Sequence, residues 1–432
     1  MSESIQQKSQ ASSGEFARAA VTSEATTSGL SLAMIITGGT IGFAIFVASS
    51  EIGGSLGYHK AALAFMVGSL VLGIMGAMTS YLGYRSRLST YILTEFAFGS
   101  TGAKIANLVV AISLIGWYGV ISNFLGQSAH GMLVSEPFGI DIPVQILVVF
   151  ASLLMIGVTL MGFTGIDRFN LILVPLMLAF IAYAAYRAYS MWEGGSPAIL
   201  DKYTFQTAAS AVVGSYIAGV IIQPDYSRFA KSGRGAIWGA FIALAVIFPA
   251  IQFLSAIPSM TTGIADFIKV MGVIGLAVSS FFLIAIGAWA SNILCLYSSG
   301  LSIATLSKKA SLKMIIAIIG VIGTGIALVP AQGYLANFLI TLGVLIPPIG
   351  AIYLIDGFVV RKFDYNMDQL AQQPKINIGA IVSWIAGTGF GLGAGTLGLY
   401  ITKVPSIDTI IVTSVVFMAY IYRTKKRHQT AP

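Results

Sequence analysis

The side chains able to do chemistry in this chain are few, and most stand inside or beside long apolar runs. Glu51, Glu95, Asp225 and Asp356 are carboxylates at or near the ends of such runs. An ionisable group is costly to hold there, so each marks an ion pair, a proton relay or a cation path. Asp225 has Arg228 one helical turn away, and Asp356 has Arg361 close by. Both read more readily as structural pairs than as relays. Glu51 has no cation near it in sequence, which makes it the candidate for proton coupling. Trp117, within Gly116-Trp117-Tyr118-Gly119, stands mid-span between glycines and could expose its ring to a cavity, and Tyr216 stands in the middle of another span within Gly214-Ser215-Tyr216. Trp117 serves equally well as a core residue bonded to a neighbouring helix. Asn292, in Trp289-Ala290-Ser291-Asn292, needs a partner in apolar surroundings, either another helix or a ligand. Covalent chemistry has no visible machinery. There is no His-Glu-x-x-His, no phosphate-binding loop ending in Lys-Ser/Thr and no Gly-x-Ser-x-Gly. One Cys and three His argue against a zinc cluster or a His relay. An enzyme and an ATP-driven pump are therefore disfavoured, and solute movement remains.

The elements that hold these residues follow from composition. Of 432 residues, 56% are hydrophobic and 9% charged. A soluble domain carries about 25% charged residues, so a soluble enzyme and a disordered chain are excluded. The expectation is an all-α polytopic membrane protein. Twelve stretches approach the roughly 20 apolar residues a span requires: 30–50, 60–83, 103–128, 143–164, 169–190, 207–223, 235–257, 271–303, 312–330, 334–355, 377–400 and 406–422. With the N-terminus inside, Lys and Arg divide 19 to 5 in favour of the inner side. The positive-inside rule then predicts cytoplasmic termini. The net charge of +8 lies in short clusters between apolar runs, a topology signal rather than a nucleic-acid surface. The first 25 residues are polar and show no signal-peptide pattern, so 1–27 reads as a disordered cytoplasmic tail. Residues 88–99 are too short to span and predict an interfacial or re-entrant helix; 262–270 is comparable on the other side.

Unwound backbone at membrane depth is tolerated only where it lines a cavity. In carriers built from inverted repeats, breaks at matching positions of the two halves mark the site. The first span carries Thr37, Gly38, Gly39, Thr40 and Gly42; the sixth carries Gly214, Ser215, Tyr216 and Gly219, then Gln223-Pro224-Asp225. These spans are five apart, the spacing of a five-plus-five repeat. The alternative is that the glycines serve only close helix packing.

At these residues the chain resembles a known family. Gly116-Trp117-Tyr118-Gly119-Val120 is similar to the Gly-Trp-Phe-Gly-Val of bacterial cytosine permeases. Val212-Val213-Gly214-Ser215-Tyr216 through Asp225-Tyr226-Ser227-Arg228-Phe229 resembles their sixth span and following loop. Ile346-Pro347-Pro348-Ile349-Gly350 resembles their tenth, and Leu56-Gly57-Tyr58-His59 the end of their first. Together these run from about residue 30 to 365. The family is the nucleobase–cation symporters. The resemblance implies twelve transmembrane helices of the leucine-transporter type, with a 5+5 inverted repeat, broken first and sixth helices and alternating access. It implies a transport core over 28–357, two accessory helices over 358–423 and a basic tail at 424–432. Trp117 and Tyr216 would stack on the two faces of a planar ring. Ser215, Gly214 with backbone groups at the sixth-span break, and Asn292 would read its edges. The cation would lie between the carbonyls of Gly38, Ile41 and Gly287 and the two positions after Trp289. Of these, Ala290 supplies no oxygen and Ser291 supplies one. Leu114 stands where cytosine permeases carry a Gln three residues before the Trp. The coupling ion stays open between sodium and a proton through Glu51, and the solute between cytosine and a related purine or pyrimidine. The implied partners are that heterocycle and membrane lipid, with no cofactor beyond the ion. The implied setting is a bacterial inner membrane, with the chain a monomer or weak oligomer. An amino-acid carrier of the same fold, using the first-span break to hold a carboxylate, is the rival.

Overall fold

The computed structural model describes residues 27–134, 138–161, 166–192, 194, 200–264, 266–304 and 311–430. Among them the architecture is helical throughout, with an isolated parallel bridge between Thr27 and Ala230. Eight helices are long and apolar enough to cross a membrane, and four shorter apolar helices accompany them. Within the described residues, each stretch singled out by hydropathy falls mostly on helix. Of the expected tail at 1–27, only Thr27 is described; its amide and carbonyl bond to Phe229 and Lys231. The other tail, at 424–432, continues a helix as far as Thr430.

The first half begins with α1, Gly29–Thr40, whose N-terminus is capped by the Ser28 hydroxyl at 3.0 Å from the Ser31 amide. It stops at Ile41 and Gly42, both extended (φ/ψ −88°/90° and −140°/151°), and α2, Phe43–Ser86, begins at once. The break thus falls where the sequence placed it. Within α2, Gly57 at φ +67° turns the chain between the first and second apolar stretches. An L side chain rarely adopts that conformation. Then come α3, Thr90–Phe98, α4, Ser100–Val134, α5, Val144–Met161, and α6, Ile166–Ser190.

The second half begins with α7, Phe205–Ile221, held at its start by a Thr204–Thr207 capping box. It is followed by α8, Pro224–Ser227, then α9, Gly233–Phe241, which runs through a π-helical turn, Ile242–Ile247, into α10, Phe248–Thr262. Next are α11, Phe267–Val273, α12, Ala277–Ala304, and α13, Leu312–Ala327. The last are α14, Leu335–Leu345, α15, Pro347–Ile355, α16, Ile378–Leu397, and α17, Pro405–Thr430.

Three expectations are adjusted. The sixth span is continuous helix through Gly214–Gly219 and is interrupted later, at Ile222 and Gln223, just before Pro224. Proline has no amide hydrogen to continue the ladder. The apolar stretch 271–303 is two elements, divided where Gly275 takes φ +75°. The segment 88–99, expected as an interfacial or re-entrant helix, is a short helix packed into the protein, with seven of the nine residues of α3 buried. Asp225 explains its placement, since its Oδ1 accepts from the Thr90 amide at 2.8 Å and caps α3. Arg228 Nε reaches the Asp225 carbonyl at 3.3 Å. The expected Asp356–Arg361 pair is present at 2.8 Å.

Candidate functional site

A cavity of about 230 Å³ lies where the α1–α2 break meets α4, α7 and α12. Its wall contains both predicted aromatic residues, Trp117 and Tyr216, together with Ser215, Ser291, Gly38, Gly39 and Gly42. Among the described residues, no charged side chain and no Asn or Gln lines it. The lining continues along Ile222, Tyr226 and Ser298 toward the end of the bundle that carries Arg228, and reaches Ala44, Ile45 and Ile121 on the other side.

Tyr216 projects across the gap between α7 and α1. Its hydroxyl donates to the Ile36 carbonyl at 3.4 Å, and its ring lies 6.1 Å from Phe248. The glycines around it are clearance rather than breaks. A Cβ on Gly39 would stand 2.8 Å from the Tyr216 Oη, and one on Gly219 would stand 2.6 Å from its Cζ. Trp117 is only 7% exposed. The edge-on ring of Phe338, 5.5 Å away at 75°, fixes its orientation. Its flanking glycines also serve packing. Gly116 admits Phe338, and Gly119 admits Ile326.

Other candidates are placed elsewhere. Gly214 is a contact between helices, since a Cβ there would lie 1.7 Å from the Leu339 carbonyl oxygen of α14. Asn292 is fully buried and absent from the cavity wall. Its Nδ2 donates to Ser122 Oγ at 2.9 Å and contacts Met155 Sδ, which is the interhelical alternative. Asn123 likewise bonds outside the cavity, to the Ala327 carbonyl and the Ala331 amide.

The residues expected around a cation are near one another. A Cβ on Gly287 would be 3.9 Å from the Ile41 carbonyl oxygen, and one on Gly42 would be 3.9 Å from Ser291 Oγ. Extended backbone at Ile41 takes its carbonyl off the helical ladder, while the Gly42 carbonyl accepts from the Ile45 and Phe46 amides that open α2. The nearby Thr37 hydroxyl is buried with no hydrogen-bond partner. Hard oxygens of this kind suit a hard cation. Among the described residues no group of His, Cys, Asp and Glu could hold a metal ion.

Glu51 is 6% exposed and lies on the far side of the break from α1. Local sequence offered it no cation, yet Lys202 Nζ sits 2.7 Å from its Oε1. The same ammonium donates to the Gln332 carbonyl at 3.0 Å. The Gln332 and Gln127 side-chain amides pair reciprocally, and Gln127 Nε2 donates to Asn123 Oδ1. These bonds join α2, α4, the segment before α7 and the segment before α14. Tyr203, beside Lys202, has a buried hydroxyl with no hydrogen-bond partner; burial and the Glu51 charge push its pKa well above the ordinary value.

The cavity wall also contains Ile121, Cys295, Ser298 and Tyr226, to which the sequence assigned no site role. A helical signal was available for three of them. Ile121 is four residues after Trp117, and Cys295 and Ser298 are four and seven after Ser291. These spacings share a helix face.

The family described as "Permease for cytosine/purines, uracil, thiamine, allantoin" matches residues 21–417. The cytosine permease of Escherichia coli (strain K12) is 28% identical over 365 residues, covering 81% of this chain and 83% of that one. The allantoin permease of Bacillus subtilis (strain 168) is 23% identical over 389 residues, covering 79% and 78%. Among solved structures, the nucleobase-cation-symport-1 family transporter Mhp1, closed with bromovinylhydantoin bound, superimposes with TM-score 0.78 at 18% identity, covering 94% of this chain and 96% of that one. That likeness carries the leucine-transporter-type inverted-repeat fold. The chain is thus an integral, multi-pass membrane transporter, not an enzyme, and belongs to the nucleobase–cation symporter family of permeases for cytosine, purines and related heterocycles.

Proposed function

We propose that this permease imports a planar nitrogen heterocycle, a purine or pyrimidine base or a close relative, by sodium symport with alternating access. The observation that carries the reading is the shared cavity of Trp117 and Tyr216 at the α1–α2 break, where no charged side chain is found among the described lining residues. A neutral flat ring fits such walls, and stacking adds about 0.5–1.5 kcal/mol per aromatic pair beyond area burial. A zwitterionic amino acid would find no fixed counter-charge among the lining side chains.

Sodium is favoured over a proton for two reasons. The Ile41 carbonyl and Ser291 hydroxyl face one another's helices across the break, and the carbonyls of Gly38 and Gly287 lie on the same elements. Glu51, the proton candidate, is engaged by Lys202. Twelve crossings with both termini cytoplasmic agree with the 19-to-5 charge division, in a bacterial inner membrane. In that orientation the cavity extends inward while the Glu51–Lys202–Gln332–Gln127 chain closes the outer side. The chain acts as a monomer or weak oligomer.

The test is uptake into proteoliposomes. Radiolabelled bases should accumulate under an inward sodium gradient and not under a pH gradient alone. Unlabelled bases should compete and free amino acids should not. Accumulation driven by protons without sodium would remove the ion assignment; competition by amino acids alone would remove the heterocycle.

A further inference from the structure

Leu114, Trp117 and Ile121 recur three and four residues apart, so they form one stripe of α4. All three line the cavity. Their exposures are 7%, 7% and 6%, so the wall is closed behind them. Apart from the Trp indole, this wall is carbon. The hydroxyls of the cavity come from α7, α8 and α12, as Ser215, Tyr216, Tyr226, Ser291 and Ser298.

Two of those hydroxyls have their hydrogens committed. Ser215 Oγ donates to the Val212 carbonyl at 2.7 Å, and Tyr216 Oη donates to the Ile36 carbonyl at 3.4 Å. Toward a ligand they offer only lone pairs. Carbonyls at the α1–α2 break offer the same. A cavity that accepts on one side reads N–H groups of a ring. A cavity that is carbon on another side penalises any polar substituent pressed there, because the substituent loses water without gaining a partner.

We propose that Leu114 and Ile121 form an apolar subsite beside Trp117. It selects neutral planar lactams whose N–H groups face the α1–α2 break and α7, and whose edge toward α4 bears carbon. A methyl or larger alkyl group is accepted there; an exocyclic amine of the same size is rejected. This rests on the heterocycle reading above and names which heterocycles.

The experiment compares 5-methyluracil with 5-aminouracil, two rings of equal size that differ only in CH3 against NH2. Affinity is measured by calorimetry on the full chain purified in detergent. The wild type should prefer the methyl ring by about tenfold or more. Leu114→Asn and Ile121→Asn should each move that ratio toward one or invert it. Ser215→Ala should weaken both rings together and leave the ratio unchanged. Ile121→Thr, close in shape, carries the same comparison if the amide variants do not purify. Equal affinity of the wild type for the two rings overturns the proposal. So does a ratio that Leu114→Asn and Ile121 variants leave unchanged, or binding of other bases with neither uracil bound. If no heterocycle at all binds the wild type, the heterocycle reading has failed first and the subsite falls with it.

Discussion

Lys202 Nζ lies 2.7 Å from Glu51 Oε1, joining residues 151 positions apart and tying α2 to the segment that starts α7. The carboxylate side is 8% exposed and the ammonium side 32%. Removing the cation therefore leaves a largely buried charge unpaired. Lys202→Met should lower stability by about 1–2 kcal/mol, less than for a fully buried pair because water reaches the lysine. Adding Glu51→Gln should recover most of that loss. Thermal unfolding in detergent reads both. If the double variant is as unstable as the sum of the singles, the pair is not coupled.

On the heterocycle proposal, Trp117 and Tyr216, which share the cavity wall, act on the solute through their rings. Trp117→Ala should reduce apparent affinity for the transported base by more than about tenfold, and Trp117→Phe by much less, since a smaller face still stacks. Tyr216→Phe loses a 3.4 Å hydroxyl contact to the Ile36 carbonyl and should change affinity by no more than about tenfold, since a neutral hydrogen bond is worth only about 0.5–1.5 kcal/mol net. Uptake kinetics measured across the three variants checks the order; equal loss in Trp117→Phe and Trp117→Ala would place the indole N–H, not the ring, at the centre.

Asn292 distinguishes a structural amide from a ligand-reading one. Its bond to Ser122 predicts that Asn292→Ala costs roughly 0.6–1.7 kcal/mol of stability and leaves the KM for the base within about threefold. A KM rise of tenfold or more with unchanged melting temperature would turn the side chain back toward the solute.

Gly39 and Gly214 should fail differently. A Cβ at Gly39 meets the end of the Tyr216 side chain, at 2.8 Å, and the ring can give way into the cavity. Gly39→Ala should therefore fold and raise KM. A Cβ at Gly214 meets the Leu339 carbonyl of α14 at 1.7 Å, and backbone cannot yield so easily. Gly214→Ala should destabilise by about 1–3 kcal/mol or more. Detergent melting curves beside uptake assays separate the two; a well-folded Gly214→Ala protein would contradict the close approach of α7 and α14.

Ser291 tests the ion. Ser291→Ala removes an oxygen donor facing Gly42 and should raise the sodium concentration for half-maximal uptake by about tenfold or more. Ala290→Ser should lower it. No response to either would place the cation elsewhere.

Membrane insertion leaves helix as the one way to satisfy backbone groups within a single chain segment. That is why apolar length alone located the helices, and why the stretch from Thr37 to Gly42 stood out as a candidate break, with close helix packing as the alternative. Charge counts are equally local, so the asymmetry of Lys and Arg was readable. Trp117 was legible because a large aromatic ring set among glycines is a local pattern, and Tyr216 because the stretch around it resembles the family's sixth span. The direction of a side chain around its helix is not local. Asn292 and Ser291 are neighbours on α12, yet one turns to Ser122 and the other to the cavity, and only the packing of α12 on α4 decides between them. Gly214 and Gly39 look alike in sequence, but one meets backbone and the other a tyrosine. Lys202 meets Glu51, and Gln332 meets Gln127, only because distant helix ends converge. Apolar periodicity and helix-breaking residues set where this chain is helical; the docking of helices far apart in sequence set which polar groups face the solute and which face one another.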